Sequence, residues 1–264
     1  MPPIRVLVSG SGHMGREVLQ AVAAAEDLEP VGVLEKFSKE EFHSLPGGSD
    51  LIPMGHEPEP LIGRCRPDVV IDFTNAEWTP RVAKAALAAG ARLVIGTTGL
   101  SEAFLRELER ECRARKLGAF VAPNFAIGAV LMMHMAAIAS RYFDWAEITE
   151  MHQERKVDAP SGTAVTTARM MAQARGKSFQ HNEPEKQTLP GSRGATYEGI
   201  AIHSVRLPGL VAHQEVVFGG LGQTLTIRHD STGRESFIPG VLLATREVMK
   251  RQELVVGLEN LIGL

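Results

Sequence analysis

His152 and Lys156, four residues apart, are the side chains of this sequence best suited to chemistry. An imidazole titrates near neutrality and can move a proton, while an ammonium is a compact cation that can hold a carboxylate or a developing negative charge. Both lie within Glu150-Met-His-Gln-Glu-Arg-Lys-Val-Asp-Ala-Pro-Ser-Gly-Thr163. Ser161-Gly162-Thr163 precedes an Ala-, Met- and Thr-rich stretch ending near Gly176, which predicts a helix whose first N–H groups face outward as a second anion site. Pro160 has no backbone donor and restrains Ala159 to extended geometry, which predicts a stiff loop between Lys156 and that helix. Taken singly, a strand-end histidine is more often structural, a lysine a surface charge, and Ser-Gly-Thr an ordinary helix start. Their occurrence within one short segment is what marks a site.

A second constellation lies at the N-terminus. Ile4–Ser9 reads as a buried strand, followed by Gly10-Ser-Gly-His-Met-Gly15 and a helical pattern through Val18, Leu19, Val22 and Ala25. Gly10 suits the tight turn, Gly12 lets the backbone approach a pyrophosphate, and Gly15 lets the helix pack close to the strand. Glu29–Leu34 reads as the next strand and ends in Glu35, ~20 residues beyond the loop, where a carboxylate can bind a ribose 2′-OH. Lys36 follows at once and could instead pair with a 2′-phosphate. NADH and NADPH therefore both remain open.

These groups need elements to hold them. Asp68–Thr74 reads as a strand, Glu77–Ala89 as a helix ended by Gly90, and Arg92–Ile95 as a strand with Gly96-Thr-Thr-Gly99 as its turn. Ser101 is placed to cap a helix running to about Lys116. Phe37–Glu59 shows no period and reads as loop. The alternation predicts a parallel sheet, with the loops at Gly10, Phe73, Gly96 and Pro123 converging beyond its carboxyl ends, where such sheets bind ligands.

From Ile127 the pattern changes to a long apolar helix, a strand at Ala146–Met151, the segment of His152 and Lys156, and a helix to Arg175. After a polar stretch, Gly199–Leu207, Gln214–Phe218 and Gln223–His229 read as strands of an antiparallel sheet. Helical periodicity resumes over Glu235–Arg251, interrupted by Pro239-Gly240, and is expected to return to the first domain. The fold class is thus α/β, a Rossmann-type parallel-sheet domain plus a second α+β domain with a largely antiparallel sheet. The expected division is 1–125, completed by 235–264, for dinucleotide binding, and 126–234 for the substrate.

The run from His152 to Ala164, His-x-x-x-Lys-x-Asp-Ala-Pro-Ser-Gly-Thr-Ala, resembles the signature of the 4-hydroxy-tetrahydrodipicolinate (dihydrodipicolinate) reductase family, nicotinamide-dependent enzymes of bacterial lysine and diaminopimelate synthesis. The resemblance implies a small cyclic dicarboxylate substrate, a hydride from NADH or NADPH, a proton from His152, and a substrate carboxylate held by Lys156 and the Gly162/Thr163 backbone. Gln153 and Ser161 join that substrate set. The family commonly has a second histidine where this chain has Gln153, whose amide can donate a hydrogen bond but cannot become cationic. Its glycine loop commonly reads Gly-Ala-x-Gly-Arg-Met-Gly. Here the loop Gly10, Ser11, Gly12, His13, Met14, Gly15 is one residue shorter, with His13 where arginine is usual. Gly96, Thr97 and Thr98, and Ala122, Pro123, Asn124 and Phe125, match family segments that contact the nicotinamide half of the cofactor. Arg234 matches a family arginine near the domain junction, a place where a salt bridge explains it equally well. The family is typically a homotetramer joined through sheets of its second domain.

Bulk properties agree. The chain has 264 residues, 44% hydrophobic and 22% charged, with net charge −3, which describes an ordinary folded protein rather than a disordered or nucleic-acid-coating one. Its two cysteines, Cys65 and Cys112, form no Cys-x-x-Cys pair, and its histidines follow no metal-ligand spacing, so neither a disulfide framework nor a metal site is expected. The start lacks a signal-peptide pattern and the apolar run Ala129–Ala139 is too short to span a bilayer, so no membrane association and a cytoplasmic location are expected. A non-catalytic dinucleotide sensor is the rival reading, but it has no use for His152 and Lys156 on a second domain. A Rossmann reductase acting on another carboxylated imine is a nearer rival, against which the length of the His152–Ala164 match argues.

Overall fold

Unbroken apolar runs form central strands because a strand covered by helices on both faces has no solvent side to make polar. Val6, Leu7, Val8, Val69, Val70, Ile71, Leu93, Val94 and Ile95 are each no more than 1% exposed in a computed structural model that describes every residue except 1, 46, 47 and 49. In chain order the elements are β1 (Ile4–Ser9), α1 (His13–Ala24), β2 (Leu28–Leu34), β3 (Phe42–Ser44), β4 (Leu51–Gly55), α2 (Pro58–Cys65), β5 (Val69–Asp72), α3 (Thr79–Ala88), β6 (Arg92–Ile95), α4 (Glu102–Arg115) and β7 (Ala119–Val121). There follow α5 (Ile127–Ala139), β8 (Trp145–His152), α6 (Gly162–Arg175), β9 (Ala195–Tyr197), β10 (Ile200–Arg206), β11 (Ala212–Gly220) and β12 (Gln223–Ser231). A 3₁₀ turn at Arg234–Phe237, α7 (Ile238–Val248), β13 (Leu254–Val256) and α8 (Leu258–Ile262) end the chain. Two compact units result: Met1–Ile127 with Arg234–Leu264, and Gly128–Gly233.

In the first unit the described residues form one sheet in the order β13-β7-β6-β5-β1-β2-β4-β3, parallel throughout except where β3 runs against β4. Its helices bury their apolar stripes against this sheet, with Val82, Ala86, Leu108 and Cys112 in one continuous core with Leu7, Val70 and Leu93. Ser101 caps α4 as expected, its hydroxyl accepting from the Phe104 N–H at 3.2 Å. Two expectations are corrected here. Phe37–Glu59 is not all loop: β3 and β4 form in it and α2 begins at its end, since Ile52 and Met54 alternate inward over a run too short to show a period. Residues 46, 47 and 49 of that stretch lie outside the described residues. Pro239 does not interrupt the last helix but sits in the first turn of α7, where its missing N–H costs nothing. The apolar tail after it adds β13 alongside β7.

In the second unit the sheet order is β12-β11-β8-β10-β9. Ile148, Ile200, Val216 and Phe218 point from it into a core closed by Ala136 and Ala139 of α5 and Ala164, Ala168 and Met171 of α6. β11 pairs antiparallel with both β8 and β12, and β10 with β9, so the sheet is largely antiparallel as expected; the one departure is that β10 runs parallel to β8. The reason is topological: the long connection from β8 to β10 carries α6, and such a helical crossover returns a strand in the same direction. Among the described residues no helix is long and apolar enough to cross a membrane.

Candidate active site

The glycine loop is built as its residue types demand. Gly10 has φ +99°, a region that L side chains rarely adopt, and its N–H donates to the Leu34 carbonyl at 2.8 Å. A Cβ on Gly15 would lie 1.8 Å from the Gly10 carbonyl oxygen, so only glycine lets α1 start this close to the loop. Gly12 caps α1 without a side-chain hydrogen bond, and the first turn carries no acid, which leaves the helix N-terminus open to an anion. His13 is exposed and Met14 half-buried beside it.

Glu35, at the end of β2, is already engaged. Its Oε2 accepts from the Ser11 N–H at 2.9 Å and the Ser11 hydroxyl at 2.7 Å, tying strand to loop. Burial alone would raise its pKa, but the Ser11 donors and the Phe37 N–H outweigh this and hold the carboxyl below its ordinary value. Lys36 lies 3.6 Å from Glu77 and over the Trp78 ring at 5.4 Å. It is therefore a paired cation rather than a free one.

The strand-end turns at Phe73 and Gly96 are joined from beneath by a residue that sequence reasoning passed over. Asp72, fully buried at the end of β5, accepts hydrogen bonds from the hydroxyls of Thr74 at 2.9 Å and Thr97 at 3.0 Å, and from Thr79 of α3. The Thr97 hydroxyl also accepts from the Thr74 N–H at 3.1 Å. Thr97 is thus turned inward while Thr98 is exposed. Gly96 lies against the Phe73 ring, which packs on Phe125 at 5.4 Å between centroids. Phe125 and Ala122 are core residues, Pro123 is exposed, and the Asn124 side chain accepts from the Ala126 N–H at 2.9 Å. From these turns, backbone groups and Thr98 are what a ligand could reach.

Burial pushes the Asp72 carboxyl above the usual carboxylate range, and the surrounding hydroxyls oppose this only in part. The sign follows from linkage. A raised folded-state pKa means that folding favours the neutral acid, so the Asp72 contribution is fully present below the ordinary carboxylate pKa and is lost as pH rises through the raised one. Asp72→Asn, which keeps the shape and an acceptor without the charge, should accordingly gain in Tm relative to the wild type as pH is raised from about 4 to 7. A Tm difference that is flat or falls over that range would contradict this.

In the second unit, His152 ends β8 and Glu150 precedes it by two, so both project from the same face of the strand. The imidazole Nδ1 lies 2.6 Å from Oε2 of Glu150, whose side chain is 0% exposed against 16% for His152. Arg206 of β10 donates to both Glu150 oxygens, at 2.9 and 2.8 Å, and the Ser161 N–H donates to Oε1 at 3.2 Å. Burial would raise Glu150, but the hydrogen bonds from Arg206, Ser204 and His152 outweigh it and hold the carboxyl below its ordinary value. Burial pushes the His152 imidazole down, an effect that Glu150 opposes and Lys156 and Arg206 reinforce.

Lys156 is half-buried, and its Nζ lies 2.7 Å from Asp158, an exposed carboxylate. Gln153 is exposed. Ser161 caps α6, its hydroxyl accepting from the Ala164 N–H at 3.2 Å, so the Ser161 side chain is occupied. Its N–H is occupied too, by Glu150, so of the expected outward-facing set only Gly162, which is exposed, and Thr163, half-buried, remain to meet an anion. Sequence reasoning had no role for Glu150 or Arg206. The first carried a readable signal, an acid two residues before a histidine on a strand. The second lies in a strand whose neighbour the sequence does not specify.

Two models of one family divide the chain between them: that for the N-terminus of dihydrodipicolinate reductase matches residues 4–125, and that for its C-terminus matches 128–262. A 4-hydroxy-tetrahydrodipicolinate reductase of Dehalococcoides mccartyi is 45% identical over 265 residues, covering 100% of both chains. One from Moorella thermoacetica is 48% identical, covering 98% of each. Among solved structures, a dipicolinate-bound dihydrodipicolinate reductase from Paenisporosarcina sp. TG-14 superposes with TM-score 0.88 at 46% identity, over 98% of this chain and 99% of that one. An amine dehydrogenase from Mycobacterium smegmatis, 12% identical with TM-score 0.64 over 96% of this chain and 94% of its own, shares the fold alone. Matched in both halves and along its whole length, the chain belongs to the dihydrodipicolinate reductase family and is an NAD(P)H-dependent oxidoreductase.

Proposed function

We propose that this chain reduces 4-hydroxy-tetrahydrodipicolinate to tetrahydrodipicolinate in the cytoplasm, as a step of lysine and diaminopimelate synthesis, with His152 as proton donor and Lys156 as the cation for a substrate carboxylate. The observation that carries the residue roles is the pairing of His152 with a buried carboxylate at 2.6 Å, four residues before Lys156 and within the segment that ends in the N-terminus of α6. The first unit, read as 1–125 with 235–264, is the dinucleotide-binding domain, and 126–234 is the substrate-binding and oligomerisation domain.

The first unit's residues fit a nicotinamide dinucleotide. The uncapped start of α1 at Gly12 suits its pyrophosphate, and Glu35, ionised and fixed by Ser11, suits a ribose hydroxyl. Lys36 beside it accommodates a 2′-phosphate, so both NADH and NADPH are accepted. Once bound, the cofactor supplies the hydride. In the second unit, Lys156 and the N–H groups of Gly162 and Thr163 bind and orient a carboxylate of the substrate, which competes with Asp158 for the ammonium. Gln153 adds a neutral donor. Protonated His152 gives its proton to the substrate atom that gains electron density, and Lys156 lowers the cost of the charge that develops there.

A homotetramer built on the second unit accords with Trp145, Leu221 and Leu225 standing exposed on and beside its sheet. Sedimentation velocity of the purified protein reads this directly, and a single monomeric species would sink it. For the activity, the purified protein mixed with freshly generated 4-hydroxy-tetrahydrodipicolinate and either NADH or NADPH should consume the cofactor's absorbance. No oxidation above background with either cofactor would overturn the assignment.

A further inference from the structure

We propose that Glu150, clamped by Arg206, is a positioning residue that holds His152 through Nδ1, so that Nε2 is the nitrogen that exchanges the substrate proton. The inference rests on the reading of His152 as proton donor and adds which atom acts and what makes it act.

The geometry carries the argument. Glu150 has no solvent exposure and receives donors from several directions: both terminal nitrogens of Arg206, the Ser161 N–H, the Ser204 hydroxyl and the His152 ring. Arg206 is itself fixed, donating to the carbonyls of Asp158 and Val205, both at 2.7 Å, so it anchors the carboxylate to the loop after Lys156 as well as to its own strand. In the parallel pairing of β10 with β8, Ser204 lies opposite Glu150 and Arg206 opposite His152, so the clamp is set by the register of two strands. On the other side, β11 places Gln214 opposite Glu150 and Ala212 opposite His152, neither of them charged. The charged groups facing the imidazole are therefore Glu150, Arg206, Lys156 and, through Lys156, Asp158.

An ionised carboxylate only accepts hydrogen bonds, so the ring nitrogen facing it must carry the hydrogen. Nδ1–H thus persists in both charge states of His152, and the titrating proton sits on Nε2. In the reaction the hydride supplied by NADH or NADPH would bond to one end of a substrate double bond, the displaced π pair would move to the other end, and the Nε2–H bond of the imidazolium breaks as its proton bonds to that pair. The ring is left as the neutral Nδ1–H form and regains its proton from water. Such a partner removes the wrong tautomer and fixes the ring plane, as a buried carboxylate does for other catalytic histidines.

The test is a long-range proton–nitrogen spectrum of the full-length protein labelled with ¹⁵N-histidine, with His152 assigned by its loss in His152→Gln. Above the ring's pKa, wild-type His152 should show a protonated Nδ1 and an unprotonated Nε2. An Nε2–H tautomer, or rapid averaging of the two, would overturn the proposal. In Glu150→Gln, Arg206 retains the amide oxygen and the amide nitrogen turns to Nδ1, so the ring should flip to Nε2–H. The kcat should fall by about tenfold with the cofactor KM unchanged, and the alkaline limb of the pH profile should move to lower pH, because the carboxylate bonded to the ring, which raises the imidazole pKa, is gone. An unchanged tautomer and profile in a folded Glu150→Gln protein would equally overturn it, and the wild-type spectrum decides the matter if that variant does not fold. The spectrum reports the hold of Glu150 on the ring whether or not His152 is the donor. Wild-type turnover in His152→Gln would remove the reading of His152 while leaving the tautomer intact.

Discussion

Replacing His152 with alanine will lower kcat by roughly 10²–10⁴-fold, the range for losing a positioned proton donor, while leaving the binding of NADH and NADPH within about twofold of the wild type. The split is expected because the proposed dinucleotide site, Gly10–Gly15 and Glu35, lies in the first unit, whereas His152 ends a strand of the second. The imidazole lies below its ordinary pKa through burial, with Lys156 and Arg206 pushing the same way. As a general acid it is therefore active in its protonated minority form, and the wild-type rate should decline as pH rises through a value below about 6.5. Binding of a dicarboxylate beside Lys156 would raise that value in the complex, so the kcat profile should break at a higher pH than the kcat/KM profile. Pre-steady-state and steady-state rates of cofactor oxidation check both points, and a kcat within twofold of wild type in His152→Ala would return the residue to a structural role.

Gly15→Ala should damage fold and cofactor site together. The new methyl would sit 1.8 Å from the Gly10 carbonyl oxygen and 2.7 Å from its carbon, both backbone atoms. The loop cannot simply retreat, since the Gly10 N–H is held by the Leu34 carbonyl and Ser11 is held by Glu35. Either α1 shifts or the loop opens, at an overpacking cost of about 1–3 kcal/mol or more. At about 2–4 °C per kcal/mol for a chain of this size, the Tm should fall by about 5 °C, and NADH affinity should fall at least tenfold as the loop leaves its register. Gly12→Ala is the control: its Cβ would meet nothing within 4 Å in the protein, so Tm should hold while cofactor affinity drops, because the added methyl occupies space in front of the open helix N-terminus. Equal Tm values for Gly15→Ala and the wild type would show that the loop has slack the distances do not suggest.

What could be read from the sequence alone was whatever depends on neighbours along the chain. The strand, glycine turn and helix from Ile4 to Ala24 were legible because apolar runs, a turn residue with a positive φ and helical periodicity are local properties. His152, Lys156 and the Ser161 cap were legible as one site because they share a single short segment. Even there, the sequence left open that Ser161 would spend both its hydroxyl and its N–H inside the protein. Tertiary structure decided the rest. A period of two identifies a strand and its inward face but not its neighbour, so the parallel union of β10 with β8, which brings Arg206 onto Glu150, follows only once α6 has packed on the sheet. The same holds for Asp72, whose threonine partners come from three separate turns and helices and meet only at the ends of assembled strands. It holds too for β4, where an inward alternation of Ile52 and Met54 becomes a strand because β2 offers it an unpaired edge. Buried charges and edge pairings are set by what surrounds them in space, and distance along the chain carries no information about that.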